Sequence, residues 1–158
     1  MPNREVASIE ELKALEGQEV AVGDWFDITQ ERVNHFADAT DDHQWIHVDA
    51  ERCKTESPFK ATIAHGFLTL SLLPALMQRT FRINQKFGMS INYGLNKVRF
   101  MNPVRVGSRI RPRMMLLECT PIAGGWQNRW QVTIEIDGQE KPACIAESIG
   151  RLYEKAPQ

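Results

Sequence analysis

Hydrophobic and polar positions alternate most strictly toward the C-terminal end of the chain. Trp126, Trp130, Val132, Ile134 and Ile136 share one parity, while Gln127, Arg129, Gln131, Thr133, Glu135 and Asp137 share the other. That is the pattern of an antiparallel strand with one face buried and one in water. Gly124-Gly125 ahead of it and Asp137-Gly138 after it are turn-forming pairs. Strands over 108–119, 126–137 and 142–153 are therefore expected to run as a meander. A further strand over 89–100 precedes them and joins through Asn102-Pro103.

The N-terminal half reads differently. Ser8 and Glu11 have capping-box spacing and Gly17 suits a stop, so a first helix is expected over 9–16. Residues 19–26 read as a strand. Thr29 can cap a helix that puts Val33, Phe36 and Ala37 on one face and ends near Thr40. Asp49 can cap a short helix over 50–53. From 66 to 79 the chain reads GFLTLSLLPALMQR, apolar on every side, as in a helix buried within its own domain. Pro74 removes the amide that would bond the Leu70 carbonyl, so a kink rather than a break is expected there.

A strand, helices, a long apolar helix and then four long strands give an α+β arrangement, an antiparallel sheet with one helix lying along it. Layer packing alone leaves several such folds open. At 158 residues, 42% hydrophobic and 25% charged, the chain is expected to form a single domain over 1–158. Nineteen basic and twenty acidic residues leave a net charge of -1, which gives no overall attraction to nucleic acid or to an anionic membrane. Cys53, Cys119 and Cys144 form no CxxC pair, which argues against a disulfide framework or a zinc site. The first twenty residues carry charges throughout and no run reaches membrane-spanning length, so cytoplasmic residence is the expectation.

Titratable groups concentrate in the loop TDDHQWIHVD, where Asp42 and His47 stand five residues apart, and His65-Gly66 follows at the mouth of the apolar helix. An isolated Asp and His in a polar loop are more often caps and surface groups than catalysts. The segments FADATDDHQWIHVD, TIAHGFLTLSLLP and INYGLNKVRFMNPVRVGSRI change that balance. Together they resemble the MaoC-like dehydratase family, in the branch that includes nodulation protein N-like hydratases, and the resemblance covers nearly the whole chain.

The resemblance implies a hot-dog fold, in which the antiparallel sheet wraps a long central apolar helix, and a homodimer. It also implies an (R)-specific enoyl-CoA hydratase that adds water reversibly to a trans-2-enoyl-CoA to give the (R)-3-hydroxyacyl product, with acyl-CoA as substrate and no metal or other cofactor. The family's acid/base pair maps to Asp42 and His47, and its backbone oxyanion donor to Gly66 of the His65-Gly66 pair. The chemistry asks for the same groups. Hydration of a double bond conjugated to a thioester needs a base for water, an acid for the α-carbon and a donor for the enolate-like oxygen. The sequence leaves open which of Asp42 and His47 is base and which is acid. The chain departs from the commonest signature in having Asp41 before the catalytic Asp and Gln44-Trp45 between the two groups, and Trp45 is a candidate to redirect the loop or fill part of the acyl site.

His43 is a competing imidazole in the same loop, His35 reads as a helix surface residue, Asp41 as a turn former and His65 as a substrate-side or structural group. Between Lys86 and Glu118 there is no acid, while Lys97, Arg99, Arg105, Arg109, Arg111 and Arg113 are all basic. Lys97 and Arg99 are candidates for binding CoA phosphates. Arg109, Arg111 and Arg113 share a parity that fits a solvated face of the sheet equally well. Two other functions compete with hydration. A hot-dog thioesterase would usually carry an acid in the apolar helix, but no Asp or Glu occurs between Ala61 and Leu76. A noncatalytic acyl-CoA module would tolerate loss of Asp42 and His47.

Overall fold

The computed structural model describes residues 1–155, so residues 156–158 of the expected domain lie outside it. The elements in chain order are β1 (Arg4–Val6), α1 (Ile9–Lys13), β2 (Glu19–Val22), β3 (Phe26–Asp27), α2 (Gln30–Thr40), α3 (Trp45–Val48), α4 (Ala50–Glu56), α5 (Gly66–Ser71), α6 (Leu73–Thr80), β4 (Phe81–Ile83), β5 (Met89–Phe100), β6 (Arg109–Ile122), β7 (Gly125–Ile136) and β8 (Cys144–Tyr153).

The alternation in residues 126–137 becomes β7, and its neighbours are the expected ones: β6, β7 and β8 form an antiparallel meander. β5 adds to the free side of β8, and β2 and β3 pair with β6, giving the order β2-β6-β7-β8-β5 with β3 also on β6. Ile134, Val132 and Trp130 of β7 are buried with Met114 and Leu116 of β6 and Ala146 of β8. α5 packs against β8, while α1 and α6 pack against β6. One cluster of buried apolar side chains fills the space between these helices and the sheet. This is the α+β hot-dog arrangement.

Local chemistry sets most boundaries. The Ser8 side chain accepts from the Glu11 amide at 3.3 Å, and the Glu11 carboxylate accepts from the Ala7 amide at 2.7 Å. Thr29 and Asp49 cap α2 and α4 by accepting from the amides of Arg32 and Arg52. α1 stops at Lys13, short of the expected Glu16, and the turn after it closes at Gly17, where φ is +79°.

Two expectations need correction. The strand expected over 19–26 is split into β2 and β3. Gly23 donates to the Pro112 carbonyl at 2.8 Å, so residue 112 faces this pair of strands. A proline has no amide to donate in return, and the ladder breaks there. The apolar helix over 66–79 is likewise divided, into α5 and α6, by the single residue Leu72 in right-handed helical conformation. Leu72 donates to Leu68 and Leu76 donates to Leu72, so the turn spacing carries through. Pro74 lies in the first turn of α6, where its missing amide is tolerated, and the helix restarts around it. The helix is also not buried on every side, since Phe67 is 67% exposed.

β1 and β4 form a separate parallel pair that the sequence pattern did not indicate. At the other end of the main sheet, β5 is twelve residues long and mostly exposed, and among the described residues no strand covers its outer edge. No helix of the described residues is long and apolar enough to cross a membrane.

The Gly23 crossing is tight enough to test. A Cβ there would lie 2.7 Å from Pro112 Cδ and nearer still to the Thr80 hydroxyl. Gly23→Ala is expected to lower stability by about 2 kcal/mol through overpacking. Urea unfolding should show a lower midpoint with an unchanged slope.

Candidate functional site

α2 ends at Thr40, and Asp41 follows as its C-cap in left-handed conformation with φ 57°. That turn delivers Asp42 at the head of the loop, and the Asp42 side chain stays 51% exposed. The chain then enters α3, which carries His47 inward to 7% exposure. Gln30 holds this arrangement from α2: its amide donates to the His47 carbonyl at 2.8 Å and accepts from the Thr62 hydroxyl at 2.6 Å.

His47 Nδ1 lies 2.7 Å from the Ile63 carbonyl, which can only accept, so Nδ1 carries the proton and Nε2 keeps its lone pair. Burial pushes the His47 pKa below the usual histidine range, and neighbouring His65 adds to that, against the opposing pull of the Ile63 carbonyl and Asp42. His65, 2% exposed, immediately precedes α5. Its Nε2–H donates to the Asp42 backbone carbonyl at 2.9 Å, and its Nδ1 has no partner. The two imidazoles stack with centroids 3.8 Å apart and planes 23° from parallel, and Phe36 tilts against His65 from the other element, 4.9 Å away.

Side-chain atoms of Asp42, His47 and His65 thus lie within 4.8 Å of one another. Three such groups invite comparison with a metal site. The stacked rings hold their in-plane lone pairs in nearly parallel planes, and one nitrogen of each ring is already bonded to a carbonyl. Such lone pairs do not converge on one ion, so the donor set fits proton transfer better than coordination.

Gly66 opens α5 directly after His65, and the ring of Phe100, at the end of β5, lies against it. A Cβ at residue 66 would meet that ring at 3.1 Å, so glycine keeps this approach open. One turn further, Leu70 begins the lining of a cavity of about 760 Å³. Leu73, Pro74, Met77, Phe81 and Trp130 continue it along α6 and the sheet.

The remaining candidates fall elsewhere. His43 pairs with Asp38 at 2.8 Å on the surface, and His35 is exposed on α2. The Trp45 indole lies under the Arg52 guanidinium, 4.3 Å away, and the cavity is lined without it. Lys97 and Arg99 are exposed on β5, and Arg99 alternates with Val98 and Phe100, the residues that pack toward the core and Gly66. The basic run is weaker than its sequence implied. Arg109 pairs with Asp137, Arg111 with Glu135, and Arg113 with Glu19 and Glu135, which cancels half of it. Those acids come from other strands and are invisible in a linear window. Burial raises the thiols of Cys119 and Cys144 to about 11, which leaves both as inert core groups.

Two residues here were missed in the sequence. Gln30 gave no signal beyond a polar residue at a helix start. Asn128 did: it falls on the apolar parity of β7 between Trp126 and Trp130, is 5% exposed and lines the cavity.

Comparisons with known proteins agree with the fold. Residues 11–134 match the family of the MaoC like domain. The chain is 50% identical over 149 residues to 3-hydroxyacyl-thioester dehydratase Z of Mycobacterium tuberculosis, covering 94% of this chain and 97% of that protein. It is 45% identical over 143 residues to nodulation protein N of Rhizobium leguminosarum bv. viciae, covering 90% and 89%. The fold resembles that of the R-hydratase PhaJ1 from Pseudomonas aeruginosa, with TM-score 0.67 at 24% identity over 89% of this chain and 83% of that one. The chain belongs to the MaoC-like family of hydratases and dehydratases.

Proposed function

We propose that the protein is an (R)-specific enoyl-CoA hydratase that adds water reversibly to a trans-2-enoyl-CoA, using Asp42 and His47 as its acid/base pair, Gly66 as oxyanion donor and no metal or other cofactor. The observation that carries this reading is the meeting of a half-exposed carboxylate and a neutral, carbonyl-anchored imidazole at the start of α5, one turn before an apolar cavity.

In the hydration direction, water sits between the Asp42 carboxylate and His47 Nε2. Its oxygen bonds to the β-carbon as one proton passes to His47, and the π electrons move onto the thioester oxygen. The Gly66 amide, at the positive end of the α5 backbone, donates to that oxygen. The enolate then collapses, and the Asp42/His47 pair returns the proton to the α-carbon. The remaining O–H of water becomes the 3-hydroxyl, so the step balances without a redox partner. The acyl tail follows the cavity past Leu70, while the CoA nucleotide lies outward, with the exposed Lys97 and Arg99 of β5 as candidate phosphate contacts. The relatives' names are compatible with thioester chemistry of this kind.

The working unit of this proposal is a homodimer joined through β5. Tyr93, Leu95, Phe100, Met101 and Phe67 are exposed large apolar side chains, and all lie on β5, just past its end or at the start of α5. A second copy adding along the uncovered β5 edge satisfies its backbone groups and buries this patch.

Three outcomes test the proposal. Asp42→Asn and His47→Gln should each lower hydration of trans-2-enoyl-CoA by a factor on the order of 10²–10⁴ while remaining folded, measured as loss of the conjugated absorbance. Full activity in both variants contradicts the assignment. Because His47 must be neutral to accept a proton and its pKa is depressed, the acidic limb of kcat/KM should lie below the ordinary histidine range near 6.5. Leu95→Asp places a charge in the apolar patch and should shift sedimentation from dimer toward monomer.

A further inference from the structure

Along α5 and α6 the cavity is lined mostly by apolar side chains, Leu70, Leu73, Pro74 and Met77, beside Ser71 and Gln78, and on the sheet it reaches a buried amide. Asn128 occupies a position whose neighbours on the same strand face are Trp126 and Trp130. Its Oδ1 is buried without a hydrogen-bond partner. An amide at such a position is costly unless something bonds it, and an aliphatic side chain fits the same face at no such cost. The register explains why space is left beside it. Asn128 stands opposite Gly150 on β8, and Gly150 stands opposite Asn92 on β5. Gly150 has no side chain, so the flank of Asn128 stays open to the cavity, which Ser148 and Asn92 also line. Among the described lining residues the one cation, Arg82, is engaged by Glu5.

The position along the sheet fixes how far this polar end is from the reacting groups. Phe100, against Gly66, is opposite Cys144 on β8, and Asn128 is opposite Gly150. Six residues of strand separate those levels, about 20 Å. At about 1.25 Å per bond of an extended chain, that is the length of an acyl tail of roughly sixteen carbons.

We propose that the Asn128 end of the cavity recognises a neutral hydroxyl near the distal end of a long acyl chain, making the preferred substrate a long trans-2-enoyl thioester hydroxylated far from its double bond. A hydroxyl can donate to Oδ1, the unpartnered acceptor, and can also accept from one N–H of the same amide. A keto oxygen only accepts and leaves Oδ1 orphaned. A carboxylate finds no free cation among the described lining residues. This inference rests on the enoyl-thioester reading and adds the substrate class to it.

The test compares kcat/KM of the full chain for trans-2-hexadecenoyl-CoA and for the same thioester carrying a hydroxyl on one of its last four carbons. The hydroxylated chain is expected to be favoured about tenfold, because the plain chain leaves a buried amide unpaired. Asn128→Leu should abolish that preference, bringing the ratio of kcat/KM for the hydroxylated and plain chains to about one, and Asn128→Ser should keep part of it. Equal rates on both chains in the unaltered protein overturn the proposal while leaving the hydratase reading intact, and this arm needs no folded variant. A preference that survives in Asn128→Leu also overturns it. Hydration of neither chain, nor of shorter enoyl-CoA thioesters, overturns the hydratase reading and this inference together.

Discussion

Two backbone carbonyls, those of Ile63 and Asp42, organise the site. Each accepts a hydrogen bond from an imidazole, at 2.7 Å from His47 and 2.9 Å from His65, and because a carbonyl cannot donate, each fixes which ring nitrogen holds the proton. For His47 the result is a neutral ring with a free Nε2 in a buried setting that resists protonation. For His65 the bond ties the otherwise exposed Asp42 loop to the residue before α5. The stacked pair is therefore a clasp between the loop after α2 and the start of α5, and it sets the spacing of the groups that would act on substrate. His65 takes part in this as a positioning residue, through the loop it holds.

The rest of the fold serves that clasp by being rigid. The meander of β6, β7 and β8 supplies the buried face on which α5 and α6 rest, and β5 extends it to bring Phe100 against Gly66. Asp42, His47 and His65 sit on short helices and turns at the edge of this scaffold, where loops positioned by a stable core commonly carry function. The same geometry leaves a cavity that starts apolar near Leu70 and ends polar at Asn128.

Much of this was legible in the chain because it is local. The caps at Ser8, Thr29 and Asp49, the alternation of β7 and the turns at Gly124-Gly125 and Asp137-Gly138 all act within a few residues of themselves, and the structure repeats them. The grouping of Asp42 with His47 and of both with His65-Gly66 came from family resemblance, since five-residue spacing by itself does not bring two side chains together. What the sequence pattern missed depends on distant partners. Pro112 breaks a ladder ninety residues upstream in β2 and β3, a consequence that appears only once the two strands are paired. Glu19, Glu135 and Asp137 neutralise Arg109, Arg111 and Arg113 across strands. Asn128 was visible as a polar residue on an apolar parity, but its meaning needed the register that sets Gly150 beside it.

The central claim is that the Asp42/His47 pair delivers one water across a carbon–carbon double bond and leaves the thioester uncut. Product analysis in deuterated water tests it most directly. With a trans-2-enoyl-CoA as substrate, mass spectrometry and chiral separation should find intact (R)-3-hydroxyacyl-CoA carrying one solvent-derived deuteron on its α-carbon. Free CoA and unsaturated acid in its place, or a product of the opposite configuration, would contradict the account.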